Sequence, residues 1–220
     1  MLANILDDGE SRERFKRRLE AFSDIVFGLS LSQLALQLSL PDRASELVDH
    51  PLRYFIFFGT FAVICLTWLS HHRMFQLAFE PEPLDIGLNF VYLAFVAILP
   101  FAMQVNIRFG GSTIGLGFYI VDFAAGSLPM LLLLERGLAR RNPKLSVRQR
   151  LELWRATLRN RAVLAASLLS LALLALAGPE FAWVPLALLA VVARIVRRTV
   201  NSVPARYLPL DAPVSATPPA

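Results

Sequence analysis

Six stretches of the chain are apolar over lengths that suit a bilayer crossing, and charged or turn-forming residues separate them. A membrane-spanning helix needs about 17–25 mostly apolar residues. The first stretch runs over about 22–40 and stops at Pro41. The second covers 54–70 and runs into His71-His72-Arg73. The third spans 86–105 with Pro100 inside it, and the fourth spans 114–134, closed by Glu135-Arg136. The last two, 162–177 and 181–196, are short and rich in alanine and leucine. Only Gly178-Pro179-Glu180 separates them, so they are expected to form a tight helical hairpin.

The pattern predicts an all-α integral membrane protein with six transmembrane helices per subunit. Residues 1–21 form a basic N-terminal segment, 22–198 the transmembrane domain, and 199–220 a proline-rich tail expected to be disordered. The 135–161 loop mixes arginines with Leu145, Val147, Leu151, Leu153, Trp154 and Leu158. It reads either as an amphipathic helix at the headgroups, attracting anionic lipid by about 1 kcal/mol per basic residue, or as a solvated loop.

Charge sets the orientation. With six spans, nineteen of the 22 lysines and arginines fall on one side of the membrane, and only Arg43, Arg53 and Arg108 on the other. The positive-inside rule makes the rich side cytoplasmic, with both termini. The expected location is a cell (inner) membrane, crossed several times. Composition agrees: 55% of residues are hydrophobic, 18% are charged and the mean hydropathy is +0.53. The net charge of +5 alone would suit nucleic acid, but the basic residues flank apolar runs, so no nucleic-acid partner is expected. A charged N-terminal stretch also argues against a cleavable leader.

Several chemistries are disfavoured. Cys65 is the one cysteine and the histidines number three, so neither an intrachain disulfide nor a metal site is expected. His71 and His72 are adjacent while His50 lies on the other side, which does not suit a haem held between facing helices. Thr113-Ile114-Gly115-Leu116-Gly117 looks like a carbonyl filter for potassium. The chain before it is too short for the pore helix such a filter needs, so small residues opening a helix explain it better. No serine-hydrolase, phosphate-loop or zinc-protease motif occurs, no cofactor is expected, and the chain is not read as an enzyme.

Polar residues inside spans are costly and mark function or helix contacts. The first span is the richest. Ile25, Leu29, Ser32 and Leu36 share one face, Ser30, Gln33 and Gln37 form an adjoining polar stripe, and Leu31, Leu34 and Leu38 lie opposite. Asp24 sits four residues after Glu20 on the same face, so it needs a cation or donors. The His71-His72-Arg73 end of the second helix lies on the same side and could supply them, as a functional contact or as an interfacial ion pair.

Arg18-Leu19-Glu20-Ala21-Phe22-Ser23-Asp24 resembles the Arg-x-x-x-Phe-Ser-Asp signature of the endosomal/lysosomal potassium channel family (transmembrane protein 175 type). Trp68-Leu69-Ser70-His71-His72-Arg73-Met74-Phe75 is similar to the stretch that ends that family's second helix, and Asn89 and Pro100-Phe101 fit its third. The likeness covers residues 14–105. It implies a homotetramer around a central pore lined by the first helix, conducting potassium without a carbonyl filter, with lipid as its surroundings. By position, Leu29 and Leu36 then form hydrophobic constrictions, Ser32 faces the ion between them, and Ile25 lies on the same face. Arg18, Phe22, Ser23, Asp24, Trp68, His71, His72 and Arg73 form the network that fixes the first helix against the second. Serine rather than threonine at 32 implies weak selectivity. A carrier, or a structural or lipid-interacting membrane protein using Ser30, Gln33 and Gln37, is the alternative.

Overall fold

The computed structural model describes residues 9–36, 38, 51–109, 112–182 and 184–208. Five long helices follow one another: α1 (Gly9–Leu36), α2 (Pro51–Leu77), α3 (Pro83–Arg108), α4 (Thr113–Ala139) and α5 (Val147–Ala177). Each is long and apolar enough to cross a membrane. Three short helices follow, α6 (Pro179–Ala182), α7 (Val184–Ala187) and α8 (Leu189–Thr199), then a 3₁₀ turn at Ala205–Tyr207.

Local chemistry sets these boundaries. Proline opens α3 after Glu82, where its missing N–H costs nothing. Ser112 caps α4 by accepting a hydrogen bond from the Gly115 amide at 3.2 Å. Ser146 and Gln149 form a reciprocal capping box at the start of α5. Gly178 ends α5 with φ at +92°, a backbone angle that disfavours any side chain.

Three expectations change. The basic N-terminal segment is not separate: residues 9–21 continue into α1 as one helix. In the 135–161 stretch the helical reading is the nearer one, but not as a separate helix: 135–139 finish α4 and 147–161 begin α5, because the capping box starts α5 fifteen residues before its apolar run. The sixth apolar stretch is not one helix among the described residues. Its described residues are helical in short pieces, α6, α7 and α8, with a turn at Leu188, and Pro185 among them lacks an amide donor.

The start of the expected tail is also ordered into the fold. Val200, Val203 and Tyr207 pack against the core, and the Tyr207 ring lies 5.4 Å from that of Trp154. Residues 209–220 lie outside the described part.

The helices pack around α3 and α4, the most extensively paired elements, with α1 and α2 against α3 and with α5 against α4. One continuous core joins Phe27 and Leu34 of α1, Ile64 and Phe75 of α2, Leu93 and Met103 of α3, Leu133 of α4 and Leu153 of α5. Small residues permit the tight crossings. A Cβ added at Gly137 would stand 2.3 Å from the Ala78 Cβ, so the end of α4 touches the chain leaving α2.

Candidate functional site

Helix α1 has two distinct sides. Leu19, Ser23, Phe27, Ser30 and Leu34 are buried, and their spacing of three and four residues makes a single seam against α2 and α3. Away from this seam the protein's own chain covers little. Ile25 and Leu29 are each 59% exposed, Leu36 is 83% exposed, and Ser32 and Gln33 are exposed with them. The Ser32 hydroxyl donates to the Gly28 carbonyl at 3.0 Å. The face expected from helical periodicity is therefore present and uncovered.

The polar stripe divides differently. Ser30 lies in the buried seam and donates to the Val26 carbonyl at 2.8 Å, while Gln33 points outward. Gln37 lies outside the described residues. Ser30 and Gln33 thus do not share a surface, because a residue at the edge of a helical stripe falls to whichever side its neighbours cover.

The seam carries a buried relay across three helices. His71 Nε2–H of α2 donates to Asn89 Oδ1 of α3 at 2.8 Å, and the Asn89 amide donates to Ser23 Oγ of α1 at 3.3 Å. Ser23 in turn donates to the Leu19 carbonyl at 2.8 Å. All three side chains are buried. The His71 ring stacks parallel to Tyr92 at 5.4 Å and meets Phe75 at 4.7 Å and Phe27 at 5.4 Å, so packing fixes its orientation. The Tyr92 hydroxyl donates to the Thr67 carbonyl at 3.4 Å.

A second, more exposed ladder joins α1 to α2. Asp24 Oδ1 accepts from the Trp68 indole at 2.8 Å, and Glu20 Oε1 lies 3.0 Å from His72 Nδ1. Moving four residues forward on α1 moves four residues back on α2, the register of an antiparallel pair. The Trp68 and His72 rings stack at 5.9 Å, and the Gln76 amide lies 2.7 Å from His72 Nε2. With that amide donating to Nε2, His72 presents Nδ1–H to Glu20. The repulsion foreseen between Glu20 and Asp24 is relieved by giving each its own donor.

The expected Asp24 contact with histidine or arginine is replaced by one with Trp68. His71 turns instead into the core, one helical turn away. Phe22 packs edge-on against Phe90 of α3 at 6.0 Å. Arg18 and Arg73 are exposed and form no ion pair among the described residues, so they stand apart from both networks.

Sequence reasoning misses one charged cluster. Asp85, in the first turn of α3, is 0% exposed, and Arg136 Nε of α4 donates to it at 2.5 Å. Arg140 Nη2 donates to its other oxygen. Glu82 accepts from Arg136 at 2.8 Å and from Arg140 at 3.0 Å, and Arg140 also donates to the Ala78 carbonyl at 3.1 Å. Burial disfavours the charge of Arg140, but its hydrogen bond to Asp85 and the nearby carboxylates outweigh this and push its pKa up. Charges at both ends of the 78–140 segment, on one side of the membrane, were the available signal. Asp122, buried in the middle of α4, likewise escapes sequence reasoning.

The relay makes a stability prediction. Asn89→Ala strands the His71 donor in the core and is expected to cost about 1–3 kcal/mol. Ser23→Ala, which removes the longest contact and little volume, should cost clearly less. Unfolding midpoints of the purified variants in detergent check this; equal, small losses would contradict the geometry.

The comparisons bear on the same stretch. The family profile described as endosomal/lysosomal potassium channel TMEM175 matches residues 18–100. A protein named as a potassium channel in Chamaesiphon minutus is 32% identical over 92 residues, 38% of this chain and 45% of that one. The endosomal/lysosomal proton channel TMEM175 of Homo sapiens is 35% identical over 108 residues, 43% of this chain and 21% of that one. The matched stretch thus spans less than half the length of either relative. In fold, the crystal structure of the Chamaesiphon minutus lysosomal potassium-selective channel TMEM175 homolog superposes with a TM-score of 0.67 at 22% identity, covering 86% of this chain and all of that one. The potassium channel MtTMEM175 superposes with a TM-score of 0.56 at 19% identity, over 81% of this chain and 89% of that one. All these proteins are named as ion channels, not enzymes. Over residues 18–100, which hold both signatures and the relay, this multi-pass membrane chain is thus similar to the TMEM175 channel family.

Proposed function

We propose that the chain is the subunit of a potassium-permeable, weakly selective cation channel, a homotetramer with α1 at its centre. The observation that carries this is the uncovered side of α1. A lipid-facing surface is apolar, because polar groups in hydrocarbon are costly. Yet α1 is the least apolar of the five spans and exposes Ser32 and Gln33 between Leu29 and Leu36. Such a face needs water or another protein chain beside it, and a pore formed by several copies supplies both.

Four copies of Leu29 and of Leu36, with Ile25 towards one end, narrow the path with aliphatic rings that gate by dewetting. Ser32 lies between the rings. Its hydroxyl hydrogen is committed to Gly28, which leaves its oxygen free to face a cation. The His71–Asn89–Ser23 relay and the Asp24–Trp68 pair hold α1 at a fixed rotation, so this face is the one presented. The chain then lies in a cell (inner) membrane with both termini cytoplasmic, and potassium is the permeant ion with no resident cofactor. The carrier reading loses its footing, since Ser30 and Gln33 are on different sides of α1.

Purified protein reconstituted into liposomes is expected to pass potassium down its gradient and, to a lesser degree, sodium, and to run as a tetramer by mass. A monomer that passes neither ion overturns the proposal.

A further inference from the structure

The arginines at the basic end of the bundle are not alike. Arg136 and Arg140 are neutralised by Asp85 and Glu82, Arg161 by Glu135, and Arg148 pairs with Glu152. Arg159 has no such partner. Its guanidinium, half-buried on α5, stands in the field of Arg73 of α2, Arg155 of α5 and Arg197 of α8. No described carboxylate pairs with Arg73, Arg159 or Arg197.

Three helices therefore bring four like charges together. Such convergence is unfavourable by itself and calls for an anion. The arrangement is also held in place. Arg155 Nε donates to the Val200 carbonyl at 2.9 Å and its Nη2 to Asn201 at 3.4 Å, which ties α5 to the end of α8 and keeps Arg197 near Arg159.

We propose that Arg73, Arg155, Arg159 and Arg197 bind the phosphate of an anionic lipid headgroup. Guanidinium groups present forked donors that match phosphate oxygens, and they shed water more easily than ammonium groups. The level in the membrane fits. Trp154 and Tyr207 pack together nearby with Arg161 over the Trp154 ring, an aromatic and basic pairing typical of the headgroup zone. Exposed apolar residues of α5 and α8, among them Leu168, Leu169, Val191 and Ile195, give acyl chains a surface to lie on. The inference rests on the chain being in a membrane and is independent of ion conduction.

The test uses the full chain in nanodiscs of phosphatidylcholine with a minority of phosphatidylglycerol, with native mass spectrometry reading the retained lipid. Wild type is expected to retain phosphatidylglycerol preferentially, and each arginine replaced by glutamine should lower that preference by roughly fivefold. Arg73→Gln with Arg197→Gln is the cleaner variant, since both side chains are exposed and folding is not at stake; Arg159→Gln is the second. Arg14→Gln with Arg17→Gln, on the exposed start of α1, should leave the preference unchanged. If the cluster variants keep wild-type retention, the site is wrong. If inorganic phosphate displaces the lipid more than chloride does at equal ionic strength, the site serves a free phosphate and the headgroup assignment is overturned.

Discussion

Asp85→Ala is expected to destabilise the protein by about 3–5 kcal/mol, the largest loss of any single replacement of a charged residue here. The carboxylate is fully buried, and each of its oxygens takes a hydrogen bond from a different arginine. Its removal leaves two guanidinium groups facing each other with the more exposed Glu82 to share and Glu80 3.7 Å from Arg140. Those arginines also hold α4 to the start of α3 and, through the Ala78 carbonyl, to the chain leaving α2. Glu82→Ala removes a partner that water can replace, and should cost no more than about 1 kcal/mol. Chemical unfolding in detergent separates the two. A mild loss for both variants would mean that the cluster is not a clamp.

Leu29→Ala is expected to raise potassium conductance several-fold at unchanged fold stability. A shorter side chain widens the aliphatic ring and lets water persist in it, lowering the dewetting barrier. Leu34→Ala is the matched opposite. Leu34 is 0% exposed in the seam of the same helix, so its truncation leaves a cavity costing about 2–5 kcal/mol without touching the permeation path. Single-channel recording on one side and unfolding midpoints on the other should show these effects in opposite columns. A change of conductance with Leu34 and none with Leu29 would exchange the two faces of α1.

Much of this was legible in the residues, and the exceptions have physical causes. The first four spans and the Ile25, Leu29, Ser32 and Leu36 face follow from periodicity, since a helix turns by a fixed angle per residue. That calculation finds faces but not what covers them, so it groups Ser30 with Gln33 although the seam takes Ser30. Pairing across helices depends on register, which the sequence does not print. Trp68 and His71 are three residues apart on α2, and only the antiparallel offset decides that Trp68 reaches Asp24 while His71 reaches Asn89. Hydropathy treats the sixth apolar stretch as one span, whereas its described residues are helical in pieces with a turn at Leu188. Arg136 reads from sequence only as the charged end of the fourth span, and its link with Arg140 to Asp85 and Glu82 is hidden because the pairing is across 51–58 residues of chain.

The central claim is that the uncovered face of α1 lines the ion path. It is tested most directly by thiol accessibility during potassium recording, with Cys65→Ala as background. Cysteines placed singly at Leu29, Ser32 and Leu34 are treated with a membrane-impermeant cationic thiol reagent while current is measured. The account predicts block at Leu29→Cys and Ser32→Cys, slowed by potassium in the pore, and no effect at Leu34→Cys. Block at Leu34→Cys with Leu29→Cys and Ser32→Cys untouched would contradict it.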